Sequence, residues 1–134
     1  MSYWLIKSDP ETYSLDNLEK DKITIWDGVR NAQARNYLKQ MKFGDTLFFY
    51  HSGDDKSIVG LAEVVEEFFQ DPTTDDNRWV AVKVKFQKKF KNPLSLAVIK
   101  NTVGLENIQL LKQSRLSVMP ITDKEAKTIL SLTK

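Results

Sequence analysis

Thr46-Leu47-Phe48-Phe49-Tyr50-His51-Ser52 is apolar almost from end to end and follows the turn signal Gly44-Asp45. A run this short and this apolar predicts a strand buried on both faces or wrapped in a barrel. The rest of the chain must cover it on either side. At 134 residues the chain is long enough to do so as a single domain, residues 1–134, without staples.

The covering elements are legible in order. Residues 3–8 read as a short buried strand ended by Asp9-Pro10, with Tyr3 and Trp4 in the core and Lys7 and Ser8 at its end. Tyr13 to Leu18 suggests a short helix capped by Ser14, and Ile23 to Trp26 a brief extended piece. Ser57 to Phe69 is a long strand whose Gly60 marks a bulge or bend, typical of small closed sheets. Trp79 to Phe90 alternates, with Val80, Val82, Val84 and Phe86 on one face. Ser95–Lys100 and Ile108–Lys112 read as short helices, and Leu116–Met119 as a last strand stopped by Pro120. Thr122-Asp123-Lys124-Glu125 is a capping box that opens a closing helix. The expected fold is mixed α/β (α+β), with about five to six strands in a curled, barrel-like sheet flanked by helices.

The stretch richest in recognition chemistry is Trp26-Asp27-Gly28-Val29-Arg30-Asn31, continued by Ala32-Gln33-Ala34-Arg35-Asn36. Glycine at 28 permits positive φ or close backbone approach to a ligand. Asn31 suits the cap of a helix over 31–41, because Ala34, Tyr37, Leu38 and Met41 fall on one face. Trp26 has two readings, a core ring or a ring that stacks on a ligand.

Other classes are narrowed by composition. No cysteine is present, so disulfides, thiol nucleophiles and Cys-based zinc sites are excluded, and the single His51 rules out a multi-histidine metal site within one chain. No apolar run has the length of a membrane span, and the N-terminus lacks a signal-peptide pattern, so a cytoplasmic location without membrane contact is expected. Net charge is +2, too small for a general polyanion binder. Its distribution is uneven: residues 54–76 hold eight acids against Lys56, and residues 78–91 hold Arg78, Lys83, Lys85, Lys88, Lys89 and Lys91 with no acid. That split makes either a phosphate-attracting face or a set of cross-strand pairs.

Ser8-Asp9-Pro10, the WDGVRN run with Ala34-Arg35-Asn36, Gly44-Asp45, Tyr50-His51-Ser52, Gly60, Asp71-Pro72 and Arg115-Leu116-Ser117-Val118 with Pro120 together resemble the EVE domain. The likeness spans Tyr3 to Leu132. Asp9 stands where the family often has Glu, and Ser114 where Gly is frequent. The resemblance implies a PUA-like fold related to YTH domains. It also implies a non-catalytic module that binds nucleic acid through a modified base, either modified cytosine in DNA or a modified nucleotide in RNA. No cofactor or metal is implied, and a monomer is expected.

In such a pocket Trp26 is the first candidate for the stacking ring, on the loop of Gly28 and Val29. Lys7, Ser8, Asn31, His51 and Ser52 are candidates for base-edge or phosphate contacts, and Arg30 and Arg35 for phosphate oxygens. Trp79 is a second wall or a cap on the open end of the sheet. Tyr50 stacks or packs, and His51 is a core residue or a polar contact. Arg115, beside Leu116, is a pocket wall or an ion-pair partner. Two other classes compete. Lys7, Thr24, His51 and Glu63 would serve a small hydrolase acting on modified nucleosides, and the lysines of residues 83–91 a protein-interaction module.

Overall fold

The computed structural model describes residues 2–134. Its strands are β1 (Tyr3–Ser8), β2 (Ile23–Trp26), β3 (Thr46–His51), β4 (Ser57–Gln70), β5 (Val80–Ser95) and β6 (Val118–Ile121). Its helices are α1 (Leu15–Asp21), α2 (Ala32–Gln40), α3 (Leu96–Lys100), α4 (Gln109–Lys112) and α5 (Asp123–Leu132). The six strands form one mixed sheet in the order β2-β5-β4-β3-β1-β6, in which only β1 and β3 run parallel.

The apolar run lies at the centre, as β3. Leu47, Phe48 and Phe49 are fully buried and Tyr50 and His51 nearly so. The sheet curls strongly around this strand. Trp26 on β2 meets Phe49 on β3 edge-on at 5.5 Å, although β5 and β4 separate their strands in the hydrogen-bonding order. In a flat sheet those strands would lie about 14 Å apart, at ~4.8 Å per neighbour. Closure stops short of a barrel, because β2 and β6 remain edges.

Gly60 shows how the curl is made. A Cβ there would lie 2.2 Å from the Lys88 carbonyl oxygen and 2.5 Å from Leu15 Cδ2. The β4–β5 register slips between Ile58 and Gly60, so α1 and the β5 backbone both close onto the strand where it lacks a side chain. Helix signals hold locally. Ser14 caps α1 in a capping box with Asn17, Asn31 caps α2, and Thr122 and Glu125 form the predicted box at α5.

The limits of two strands differ from expectation. β5 runs on from Phe90 to Ser95: Gly60 pairs with Lys89 and Ile58 with Leu94, so residues 90–93 bulge out of the ladder. Pro93 falls in that bulge, where its missing N–H breaks no bond. β6 begins at Val118 and passes through Pro120 rather than stopping at it, because an edge strand tolerates proline on its free side. The uneven charges meet across β4 and β5: Glu63 lies opposite Lys85 and Glu66 opposite Lys83, with a 3.4 Å ion pair in the second case. Both groups of that pair are solvent-exposed, so it adds little stability, but it answers part of the basic face with acids.

Candidate functional site

The curl brings the end of β1, the residues before α1, β2 and the loop that leaves β2 around an open cavity of about 550 Å³. That is ample for a small organic ligand. Trp26 forms one wall, half-buried, with its ring held edge-on by Phe49 and by Tyr13 at 6.3 Å. Tyr13 donates its hydroxyl to Asp21 at 2.9 Å. Burial pushes the Tyr13 phenol up, and Asp21 adds to this against a bond with Thr24. Ser8 Oγ donates to the Tyr13 carbonyl at 2.6 Å, and Lys7 Nζ to the Ser114 carbonyl at 2.7 Å. Lys7 also sits 5.6 Å over the Tyr50 ring, and burial lowers its pKa.

The loop after Trp26 is held from outside the cavity. Gly28 adopts φ +80°, a turn that a side chain would strain. Its N–H donates to Asp71 Oδ2 at 2.8 Å, and Arg30 donates to the same oxygen at 3.0 Å. Asp71 Oδ1 accepts from the Thr73 amide and hydroxyl, at 2.7 and 2.6 Å. Asp71 is fully buried. Burial alone would raise its pKa, but the bonds from Thr73, Gly28 and Arg30 outweigh it and hold the carboxyl far below the usual range. Arg30 is further tied to the Val29 carbonyl and Thr73 Oγ1. Its guanidinium shares the Trp79 ring with those of Arg35 and Arg78, at 5.4–5.8 Å from the ring centre. The loop after β4 thus braces the loop after β2.

Of the residues singled out from the sequence, Lys7, Ser8, Trp26, Gly28, Val29 and Arg30 line this cavity. The others lie elsewhere. Asn31 accepts the Ala34 N–H as a helix cap and borders a second depression with Arg115 and Leu116. Tyr50 and Ser52 line a shallow hollow on the other side of Lys7. His51 turns toward α1: its Nε2 accepts the Leu15 N–H at 3.0 Å, which puts the ring proton on Nδ1, 3.0 Å from Asp55 Oδ2. The expectation that the curl gathers His51 and Ser52 beside Trp26 is therefore corrected by geometry. Trp79 stands behind the loop as a stacking partner for arginines, and Arg30, assigned to phosphate, is largely spent on Asp71 and Thr73.

Thr24, named from the sequence only as a hydrolase candidate, lines the cavity too, as do Tyr13 and Asp27, which the sequence reading did not place there. Thr24 was recoverable, since it shares a strand face with Trp26 two residues on. Asp71 entered the sequence reading with Pro72 as one motif of the family likeness, with no role assigned to it. Among the described residues no cluster of three or more metal-ligating side chains occurs, and no helix is long and apolar enough to cross a membrane.

The EVE domain family model matches residues 2–132. The chain belongs to the EVE domain family. This EVE domain is 36% identical to human thymocyte nuclear protein 1 over an alignment of 165 positions, covering 98% of this chain and 73% of the relative. Among solved structures it matches a Pseudomonas syringae protein at 40% identity and TM-score 0.94, covering 99% and 100% of the two chains. It also matches the human THYN1 protein in complex with 5-methylcytosine containing DNA at 33% identity and TM-score 0.93, covering 100% of this chain and 98% of that one.

Proposed function

We propose that this EVE domain is a binding module that receives one modified base of a DNA strand, a modified cytosine, in the cavity beside Trp26. The observation that carries the reading is the Trp26 wall: a half-buried indole, fixed by two rings, facing an open cavity rimmed by polar groups. The human relative in complex with 5-methylcytosine DNA supports the choice of base. Extruding a paired base costs a few kcal/mol, and stacking on an aromatic returns about 1–3 kcal/mol. One ring therefore roughly offsets extrusion, and selectivity falls to the polar rim.

A titration of short DNA and RNA strands with and without 5-methylcytosine tests this, in single- and double-stranded form. Wild type should favour one modified strand, and Trp26→Ala should weaken that binding about tenfold or more, as loss of a stack predicts. Equal binding to every strand, with the same salt dependence in wild type and variant, would refute the pocket and leave only surface charge. A preference for the RNA member would keep the pocket and reassign the strand.

A further inference from the structure

A base received in the cavity meets only the polar groups that are not already bonded to one another. Most of the cavity's polar side chains are already engaged. Lys7 donates to Ser114, Ser8 to Tyr13, Tyr13 to Asp21, and Arg30 to Asp71 and Thr73. Asp9 accepts the Glu11 amide on Oδ1 and lies with its other oxygen beside Gly53, toward a neighbouring depression. Thr24 bonds Tyr13, and Thr12 and Ser117 also line the cavity, but a hydroxyl rotates to donate or accept and discriminates little. Asp27 is different. It lines the cavity next to Trp26, and among the described residues its carboxylate makes no ion pair and no hydrogen bond to another residue.

We infer that Asp27 reads the exocyclic amine of the received base, so that the cavity accepts cytosine's edge and rejects that of thymine or uracil. The inference rests on the base-reading proposal above. Cytosine presents an N4 amine, a donor that a carboxylate accepts. Thymine and uracil present O4 there, and two acceptors facing each other are penalised once the received base displaces the water between them. Position supports the assignment. Gly28, the next residue, is pinned by Asp71, and Arg30 is clamped by Asp71 and Thr73, so Asp27 sits on braced backbone rather than a loose loop. Its environment points the same way. Partial burial, then the charge of Asp71, push the Asp27 carboxyl up, against its own backbone amide and Arg30. The partial burial that raises the pKa also strips water from the carboxylate, which favours a donor such as the N4 amine at its oxygens.

The test uses two single-stranded DNA oligonucleotides that differ at one position, 5-methylcytosine or thymine. Both bases carry the 5-methyl group, so they differ only along the edge that Asp27 would meet. Wild type should bind the 5-methylcytosine strand at least tenfold more tightly. Asp27→Asn, whose amide can turn a donor toward O4, should bring the ratio near one. Asp27 is exposed and bonds no other residue, so the variant should melt like wild type. A full ratio retained in Asp27→Asn, with Trp26→Ala still impaired, overturns the role of Asp27 alone. Unimpaired binding by Trp26→Ala on both strands overturns the base-reading proposal and this inference with it.

Discussion

Replacing Asp71 by asparagine tests the brace directly. The change keeps the shape of the side chain but removes its charge and turns one acceptor into a donor. In wild type the two oxygens accept from Gly28, Arg30 and twice from Thr73. If the new amide faces Thr73, the hydroxyl there can accept, but the Thr73 N–H loses its partner. If it faces Gly28 and Arg30, it opposes two donors. Either way at least one sheltered donor goes unpaired, at about 1–3 kcal/mol, and a charge-assisted bond is lost. Breaking a fully buried pair costs about 3–5 kcal/mol. The Arg30 side chain is 40% exposed and can turn to water, which lowers that figure. We expect a loss of about 2–4 kcal/mol.

Urea unfolding at a series of pH values measures it. The native Asp71 carboxyl lies well below its ordinary value of 3.8, so near and below that value the unfolded chain takes up a proton that the native protein does not. The contribution is complete above the ordinary value and is lost as pH falls through the native one. The stability gap between wild type and Asp71→Asn should therefore be flat from about pH 5 to 8 and narrow below about pH 4. A variant within about 0.5 kcal/mol of wild type at pH 7, or a gap that does not narrow in acid, would show that the carboxylate braces nothing.

Two further substitutions separate scaffold from site. Gly60→Ala places a methyl 2.2 Å from the Lys88 carbonyl, a backbone atom that cannot swing aside, so thermal melts should show a loss of about 1–3 kcal/mol or more. His51→Ala leaves the buried Leu15 N–H without its acceptor and should cost about 1–3 kcal/mol by chemical unfolding. The same variant should keep the wild-type preference among modified strands, because His51 does not line the cavity; a changed preference would return it to the site.

Most elements were legible because their signals are local. The apolar run 46–52, the caps Ser14, Asn31 and Thr122, and the position of Gly60 each act within a few residues of themselves. The strand end at Pro120 was misread because its tolerance depends on lying at the sheet edge, which is a property of strand order. The site divided on the same ground. Trp26, Gly28, Val29 and Arg30 form one contiguous run, and Lys7 and Ser8 lie at a strand end, so their place at a rim was readable. Nothing local shows that His51 faces α1, or that Asp71 reaches back to the amide of Gly28. Both depend on contacts between elements far apart in the chain. Family likeness carried the identity of the motifs, but not which of their side chains are spent on one another.

The parallel pairing of β1 with β3 has a consequence for assembly. Two parallel neighbours need a crossover, and here residues 9–45 supply it, carrying α1, β2 and α2. Apart from Lys7, Ser8 and Ser117, every residue lining the cavity belongs to that crossover. Closing so long a segment must be paid in chain entropy before β1 can pair with β3, whereas β3, β4 and β5 join as sequential antiparallel neighbours. The cavity is therefore complete only once β1 has docked beside β3, because Lys7 and Ser8 come from that strand. A base that binds only the finished cavity therefore stabilises the contacts that close this longest loop, by mass action on the native state.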